Sequence, residues 1–202
     1  EYVLASMLDW AMRYREGAAT FLAWDGHIDR VEMARFLERF PDVQALAAAK
    51  DNALMKAWEG LGYYARARYL RNAARTMVEK HAGKLPALQA ELLLLPGFGA
   101  YTAASVASLA FGEDAAAVDG NVMRVLSRLF VIASDTRKPA AKREFQRIAD
   151  GLLPTGRAGE FNEALMELGA LLCTPRAPRC DACPIRNHCA AFANGRPSFS
   201  AA

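Results

Sequence analysis

Four cysteines near the C-terminal end of the chain have spacings that suit one shared inorganic centre. They are Cys173, Cys180, Cys183 and Cys189, separated by six, two and five residues. Thiolates from one compact loop hold iron–sulfur clusters in this way. A zinc site with four cysteine ligands usually pairs two Cys-x2-Cys units, and this stretch contains one. The spacing therefore favours an iron–sulfur cluster, with zinc as the main alternative and disulfides as a more distant one.

A glycine-rich turn is predicted at residues 95–102, Leu-Pro-Gly-Phe-Gly-Ala-Tyr-Thr. Gly97 and Gly99 permit a tight turn that exposes backbone N–H groups beside the start of the next helix. Such groups, together with the helix dipole, bind phosphate without reading base sequence. An isolated turn of this type is more often a plain connection between helices, and only the neighbouring motifs favour a phosphate site here.

Asp119 and Asn121 lie at the predicted start of a helix, in the stretch Val-Asp-Gly-Asn at residues 118–121. A carboxylate at this place is a good helix cap, and capping alone would explain Asp119. The functional alternative is a carboxylate kept ionised and aimed at a developing positive charge.

Tyrosines and arginines alternate in residues 60–75. Tyr63 and Tyr64 could stack on bases, while Arg66 and Arg68 could bind phosphates, and arginines at positions 71 and 75 continue the pattern. Buried core tyrosines would give the same pattern. Three more arginines flank the cysteines at positions 176, 179 and 186, where they could meet phosphates or form a solvated face.

The elements that must position these residues are predicted to be helices. Stretches bounded by Gly, Pro or Asp run over residues 51–59, 64–81, 100–111, 121–130, 139–152 and 158–172. Alternating patterns typical of strands are lacking, so an all-α fold is predicted. The 202 residues are 53% apolar and 23% charged, as in ordinary globular proteins.

Charge and hydropathy limit the classes of protein. The net charge of +3 is compatible with nucleic acid but too small to indicate it alone. No apolar run reaches the roughly 18 residues that cross a membrane, and the first residues lack the pattern of a signal peptide. We expect a cytoplasmic protein and a monomer, with no membrane partner.

Taken together, these motifs resemble one family. Residues 60–68, 95–99, 118–122 and 161–170, followed by Cys173, are similar to the helix-hairpin-helix DNA glycosylases with a 4Fe–4S cluster, and within them to the adenine DNA glycosylase (MutY) family. The resemblance covers about residues 35–194. It implies a two-lobed helical fold, with double-stranded DNA bound between the lobes.

The resemblance also implies an activity and roles for named residues. Members of the family excise adenine mispaired with 8-oxoguanine or guanine. Asp119 would match the carboxylate that stabilises the sugar cation, with Asn121 as its hydrogen-bonding neighbour. Tyr63 or Tyr64 would match the aromatic wedge. Tyr101 stands where bifunctional relatives carry a lysine nucleophile, so a monofunctional enzyme is expected.

Two departures from the family pattern affect these expectations. The family's general acid, a Glu, should fall near Ala18, where no matching motif is found. Relatives usually continue into a second domain that recognises 8-oxoguanine, so we expect poorer discrimination of the opposite base. A thymine or uracil mismatch glycosylase, or a catalytically impaired DNA-binding relative, therefore stays open.

The sequence predicts four segments. A divergent N-terminal segment covers residues 1–34, and a helical lobe with the hairpin covers 35–153. An iron–sulfur lobe covers 154–194, and a frayed tail covers 195–202.

Overall fold

The computed structural model describes residues 30–60, 63–197 and 199. Every regular element within those residues is a helix, which confirms the predicted all-α class. The α-helices are α1 (Arg30–Arg39), α2 (Val43–Ala47), α3 (Asp51–Ala57), α4 (Ala65–Lys80), α5 (Gln89–Leu92), α6 (Ala100–Phe111), α7 (Gly120–Phe130), α8 (Pro139–Leu152), α9 (Ala158–Glu167) and α10 (Ala190–Ala193).

Helix boundaries agree with the sequence within a few residues, with one informative difference. The stretch predicted as one helix over 158–172 ends as an α-helix at Glu167 and continues as a wider π-helical turn, Leu168–Leu172. At Gly169 an added Cβ would lie 2.7 Å from the Cβ of Asn121. The backbone therefore approaches α7 closely at this glycine. The wider turn also leaves the Gly169 carbonyl to accept a hydrogen bond from a side chain of α7.

The chain forms two compact units, Glu1–Val106 and Ala107–Ala202. In the first unit, α2 and α3 pack against α4, and α1 packs against α3. Trp58, just after α3, is fully buried and meets the ring of Phe36 edge to face, with centroids 5.4 Å apart. Asp42 caps α2 by accepting from the Ala45 N–H at 2.7 Å. The predicted segment boundaries at residues 34, 153 and 194 stay predictions.

The second unit is built around α7. This helix packs against α9, the π-helical turn and α10. Its buried side chains include Val122, Val125 and Leu126, while Phe145 of α8 is also fully buried in this unit. Two short 3-10 turns, Cys180–Ala182 and Arg186–His188, shape the cysteine loop between the π-helical turn and α10.

None of the described helices is both long and apolar enough to cross a membrane.

Candidate functional site

The four cysteines lie together in one loop of the second unit. Cys173 follows the π-helical turn, Cys180 begins a 3-10 turn, Cys183 ends it, and Cys189 directly precedes α10. All four are free thiols and partly exposed. Partial burial raises the pKa of the Cys180 thiol, and the neighbouring thiolates of the other three cysteines raise it further. The other three cysteines therefore lie close enough to Cys180 to affect the charge of its thiol.

Arg128 of α7 lies against this loop and is 2% exposed. Its Nη1 donates to the Cys173 sulfur at 3.2 Å and to the Thr174 carbonyl at 2.8 Å, and its Nη2 donates to the Pro175 carbonyl at 2.9 Å. The Cys189 sulfur in turn lies 3.6 Å from the Arg128 carbonyl oxygen. Arg128 thus contacts the first cysteine of the loop through its guanidinium and the last through its backbone carbonyl.

The chemistry of this donor set fits a polynuclear centre. Sulfur ligands and a positive N–H donor beside them are suited to an anionic iron–sulfur cluster, because N–H···S bonds and nearby positive charge stabilise its negative charge. Within the described residues, no three His, Cys, Asp or Glu side chains are arranged to hold a single metal ion. A cluster spreads its thiolates around several iron atoms and does not require that closer arrangement.

Asp119 is the N-cap of α7, which confirms the predicted capping role. Its Oδ1 accepts from the Val122 N–H at 2.7 Å, and its Oδ2 accepts from the Nδ2 of Asn121 at 3.0 Å. Both carboxylate oxygens are therefore fixed by donors at the positive end of a helix. These two hydrogen bonds hold the carboxylate in one orientation.

Arg124 connects this carboxylate to the cysteine loop. Its Nη2 donates to the Oδ1 of Asn121 and to the Gly169 carbonyl, each at 2.8 Å, and its Nε donates to the Cys173 carbonyl at 2.8 Å. Burial lowers the pKa of the Arg124 guanidinium, while neighbouring Cys173 and Asp119 oppose that shift. The two predicted catalytic residues and a predicted metal ligand thus share one hydrogen-bonded network.

The glycine turn of the first unit has the predicted tight geometry. Gly97 has φ +85°, and an added Cβ would lie 2.6 Å from the Cβ of Tyr69 on α4. The Phe98 N–H donates to the Leu95 carbonyl, and the Gly99 carbonyl accepts from Ala103 in the first turn of α6. Gly97 and Gly99 are exposed. Tyr101, by contrast, is only 8% exposed.

The two tyrosines before α4 are exposed. Tyr63 is 78% exposed and has the left-handed φ of 45°, and Tyr64 is 48% exposed. The guanidinium of Arg66 lies 4.7 Å from the centre of the Tyr63 ring. The reading of these tyrosines as core residues is therefore wrong, and their rings are accessible to a partner.

The arginines of α4 divide into two groups. Arg66 and Arg68 are at least partly exposed, although Arg68 also forms an ion pair with Asp51 at 3.7 Å. Arg71 is buried and pairs with Asp51, so it serves packing between α3 and α4. Arg75 donates through Nε to the Ala47 carbonyl of α2 at 2.9 Å.

Several residues of the site carry no obvious signal in the sequence. Arg124, Arg128 and Asn162 act through backbone groups 45 or more positions away. The spacing of Arg124 and Arg128 is a usable signal that both belong to one site, because residues four apart share a helix face. Because that face also carries buried apolar residues, both arginines could have been expected to point inward.

An all-helical fold with an exposed glycine turn, a fixed carboxylate and a four-cysteine loop defines a class of DNA repair proteins, and comparisons with known proteins agree. The family model described as "HhH-GPD superfamily base excision DNA repair protein" matches residues 23–150. The chain belongs to this superfamily. A second model, the iron–sulfur binding domain of endonuclease III, matches residues 173–189, and the chain carries a 4Fe–4S cluster of that type.

Its relatives include adenine DNA glycosylases. That of Mus musculus is 42% identical over 159 residues, which are 78% of this chain and 31% of the relative. That of Homo sapiens is 42% identical over 157 residues, or 77% and 29% of the two chains. That of Mycolicibacterium smegmatis is 39% identical over 184 residues, or 90% and 62%. The chain spans about a third of the length of these mammalian relatives.

Solved structures of the same fold also match. A thermostable thymine-DNA glycosylase aligns with a TM-score of 0.75 at 26% identity, covering 95% of this chain and 84% of that one. Endonuclease III in a non-covalent complex with DNA aligns with a TM-score of 0.71 at 22% identity, covering 94% and 84%. The second likeness shows a shared fold.

Proposed function

We propose that this protein is a monofunctional DNA glycosylase that removes adenine mispaired with 8-oxoguanine or guanine. The observation that carries the proposal is the carboxylate of Asp119, fixed through both oxygens at the start of α7. Adenine as the base is supported by the names of relatives up to 42% identical. A cytoplasmic, nucleoid-associated location would follow from such a substrate.

Asp119 would stabilise the positive charge that develops on the sugar. As the bond between C1′ and the base nitrogen breaks, the base leaves with the bonding electrons and the sugar becomes an oxocarbenium-like cation. A carboxylate that is already oriented lowers the energy of this cation without reorganising during the reaction. Water then adds to C1′ and loses a proton, which leaves an abasic site. Asn121 would hold the second carboxylate oxygen in place.

The departing adenine also needs a proton, and its donor is not assigned. The position expected for the general acid, near Ala18, lies outside the described residues. Loss of such a group commonly lowers the rate by about 10²–10⁴-fold. A catalytically impaired DNA-binding protein is therefore an alternative that the excision experiment below distinguishes.

Tyr101 supports a hydrolytic reaction. A glycosylase that also cuts the strand uses an amine to form a Schiff base with the sugar, and a phenol cannot form one. Tyr101 is also buried, with an exposure of 8%. The expected product is an intact strand with an abasic site.

Double-stranded DNA with a mismatched or oxidised base pair is the proposed partner, bound by a monomer. Gly97 and Gly99 would present backbone N–H groups to a phosphate, and Arg66 and Arg68 would add positive charge. The exposed rings of Tyr63 or Tyr64 would stack in the space that the flipped base leaves.

The 4Fe–4S cluster would be held by Cys173, Cys180, Cys183 and Cys189. When bound, it supplies a rigid anchor for the loop at residues 173–189. Arg128 would stabilise the charge of the Cys173 thiolate, and its bonds to neighbouring carbonyls would hold the loop in the shape that the cluster needs.

A thymine or uracil mismatch glycosylase is the second candidate. The specific observation in its favour is the 0.75 TM-score and 26% identity to a thymine-DNA glycosylase. Both candidates use the same fixed carboxylate, so they differ in the base that is released.

The test is single-turnover excision with purified, cluster-loaded protein. Duplexes carry adenine opposite 8-oxoguanine, adenine opposite guanine, or thymine opposite guanine, and alkali reveals abasic sites. We expect cleavage of the adenine strands and its loss in Asp119→Asn, while Glu163→Gln, which neutralises an exposed carboxylate on α9, keeps the wild-type rate. Cleavage of the thymine strand alone would establish the second candidate. Binding without cleavage of any duplex would overturn both.

A further inference from the structure

The short segment Ala115, Ala116 and Ala117, which leads into Asp119, is buried and non-helical. Its residues are between 2% and 6% exposed, and they belong to no helix. Buried backbone N–H and C=O groups need partners, and outside helices a neighbouring strand is a common source of them. The described part of the chain contains no strand. Other groups must therefore satisfy this backbone.

The side-chain amide of Asn162, on α9, makes the hydrogen bonds that a neighbouring strand would otherwise make. Its Oδ1 accepts from the Ala117 N–H at 2.9 Å, and its Nδ2 donates to the Ala115 carbonyl at 2.8 Å. The second Nδ2 hydrogen is donated to the Oγ of Ser108 at 2.8 Å. One primary amide thus pairs with an N–H and a C=O two residues apart, as a strand residue does in a ladder.

The orientation of this amide is determined by its partners. Asn162 is 1% exposed, and both of its N–H groups and its oxygen are used. A flipped amide would set its oxygen against the Ala115 carbonyl and its N–H against the Ala117 N–H, so only one orientation is compatible with this backbone.

Gln146 of α8 holds the residue between these two contacts. Its Nε2 donates to the Ala116 carbonyl at 2.9 Å and to the Oδ1 of Asp150 at 2.8 Å. Amides from two different helices therefore fix three consecutive residues of the segment. Ala117 is two residues from Asp119, whose own backbone is extended with φ −109° and ψ −174°.

We propose that Asn162, assisted by Gln146, is a positioning residue for Asp119, and this inference rests on the proposed function. Without these contacts the segment can shift while α7 itself stays folded, since α7 is stabilised by its own packing. A shift of about 1 Å at a reacting centre can lower a rate by about 100-fold. The two amides therefore set where the Asp119 carboxylate stands relative to the sugar.

The test compares Asn162→Asp with Ser108→Ala. The ionised aspartate has the shape of asparagine and can still accept from Ala117, but it cannot donate to Ala115 or Ser108. Ser108→Ala removes a partner of Asn162 and leaves both contacts to the segment, so it is the matched control. The measurements are the single-turnover rate at saturating enzyme, the Kd for an uncleavable duplex, the iron content and the unfolding midpoint.

We expect Asn162→Asp to lower the excision rate by about 10- to 100-fold, with less than a threefold change in Kd and a normal iron content. Ser108→Ala should stay within about threefold of the wild-type rate, even where its unfolding midpoint falls. Equal rates for the two variants would overturn the proposal. The loss of excision rate would then be due to reduced stability and not to displacement of residues 115–117.

A second arm asks whether Asn162 acts through Asp119. In an Asp119→Asn background, Asn162→Asp should lower the residual rate by less than about twofold, since the group that it positions is already lost. Multiplicative losses would show an independent role and would overturn the proposal. If Asn162→Asp does not fold, Gln146→Leu carries the same test, with Asp150→Ala as its control.

An inactive wild-type protein would contradict the proposed function. The effect of Asn162 on the position of the Asp119 carboxylate could still be measured. The Val122 N–H donates to Asp119, so its hydrogen exchange reports whether that carboxylate is in place. Faster exchange at Val122 in Asn162→Asp than in Ser108→Ala supports the positioning role. Equal exchange in the two variants overturns it.

Discussion

The guanidinium of Arg128 donates a hydrogen bond to the sulfur of Cys173 over 3.2 Å, from a position that is 2% exposed. The same side chain donates through Nε to the Phe199 carbonyl and through Nη2 to the Pro175 carbonyl. A single helical residue therefore supports a proposed cluster ligand and the backbone on both sides of the cysteine loop.

Replacing Arg128 should destabilise the cluster. In Arg128→Met the aliphatic part of the side chain is kept, but the carbonyls of Thr174 and Pro175 lose the charged donor that holds them in place. We expect a lower iron and sulfide content after purification and faster bleaching of the visible absorption in air. Arg176→Met, at an exposed position in the same loop, is the control. Full cluster occupancy in Arg128→Met would show that the loop forms without this support.

The parts of the site that the sequence predicted are those whose local spacing has a physical meaning. The spacing of Cys180 and Cys183 is typical of a pair of metal ligands. Asp119 precedes a helix at the position that a cap occupies, and Gly97 lies in a turn that requires positive φ. Each of these depends on neighbours within a few residues. Five of the six predicted helices agree with the observed ones within two residues for the same reason.

The long-range supports could not be predicted in this way. Asn162 lies inside the helical pattern of α9, where an asparagine looks like any polar residue on a helix surface. Its partners are backbone groups of alanines 45 and 47 positions away, and a carbonyl has no side-chain identity to recognise. The end of α9 at Glu167 was missed because it depends on the approach of Gly169 to Asn121.

The Asp51 carboxylate gives the first unit a pH-dependent contribution to stability. The hydrogen bond and charge of Arg71, with a smaller effect of Arg68, lower the pKa of Asp51 below its ordinary value of 3.8. A carboxyl whose pKa is lower in the folded state stabilises that state above the unfolded pKa, and the contribution is lost as pH falls through the folded pKa. The stabilisation is therefore complete at neutral pH and disappears below about pH 4.

Urea unfolding of wild type and Asp51→Asn between pH 2 and pH 7 measures this contribution. We expect the wild type to be the more stable protein above pH 4 and the difference to shrink as the solution is acidified. In an Arg71→Met background, Asp51→Asn should change stability much less with pH. A difference that stays constant from pH 7 to pH 2 would contradict the assignment to this ion pair.

Tyr63, which is proposed to contact DNA, is too exposed to support the fold. Because the ring is 78% exposed, Tyr63→Ala should leave the unfolding midpoint unchanged. Stacking of a base on an aromatic ring contributes about 1–3 kcal/mol, so affinity for a mismatched duplex should fall by about 5- to 150-fold. Tyr63→Phe keeps the ring and should bind as wild type does. Fluorescence anisotropy at fixed salt measures both variants, and unchanged affinity in Tyr63→Ala would exclude stacking at this position.

Gly97 has both a positive φ and a close approach to Tyr69, and a comparison with Gly112 separates the two constraints. Gly112 also has positive φ, at +72°, but an added Cβ there would meet no atom within 4 Å. Gly112→Ala should therefore cost only the left-handed backbone penalty of about 1–2 kcal/mol. Gly97→Ala bears the same penalty and also drives a methyl group against the Cβ of Tyr69 at 2.6 Å, so the turn must move. We expect Gly97→Ala to lose more unfolding free energy than Gly112→Ala and to weaken DNA binding, whereas Gly112→Ala keeps its affinity. Equal losses of stability in the two variants would contradict this expectation. They would mean that the turn shifts to accommodate the methyl group without an energetic cost. The contact of Gly97 with α4 would then not constrain the backbone N–H groups that are proposed to bind phosphate.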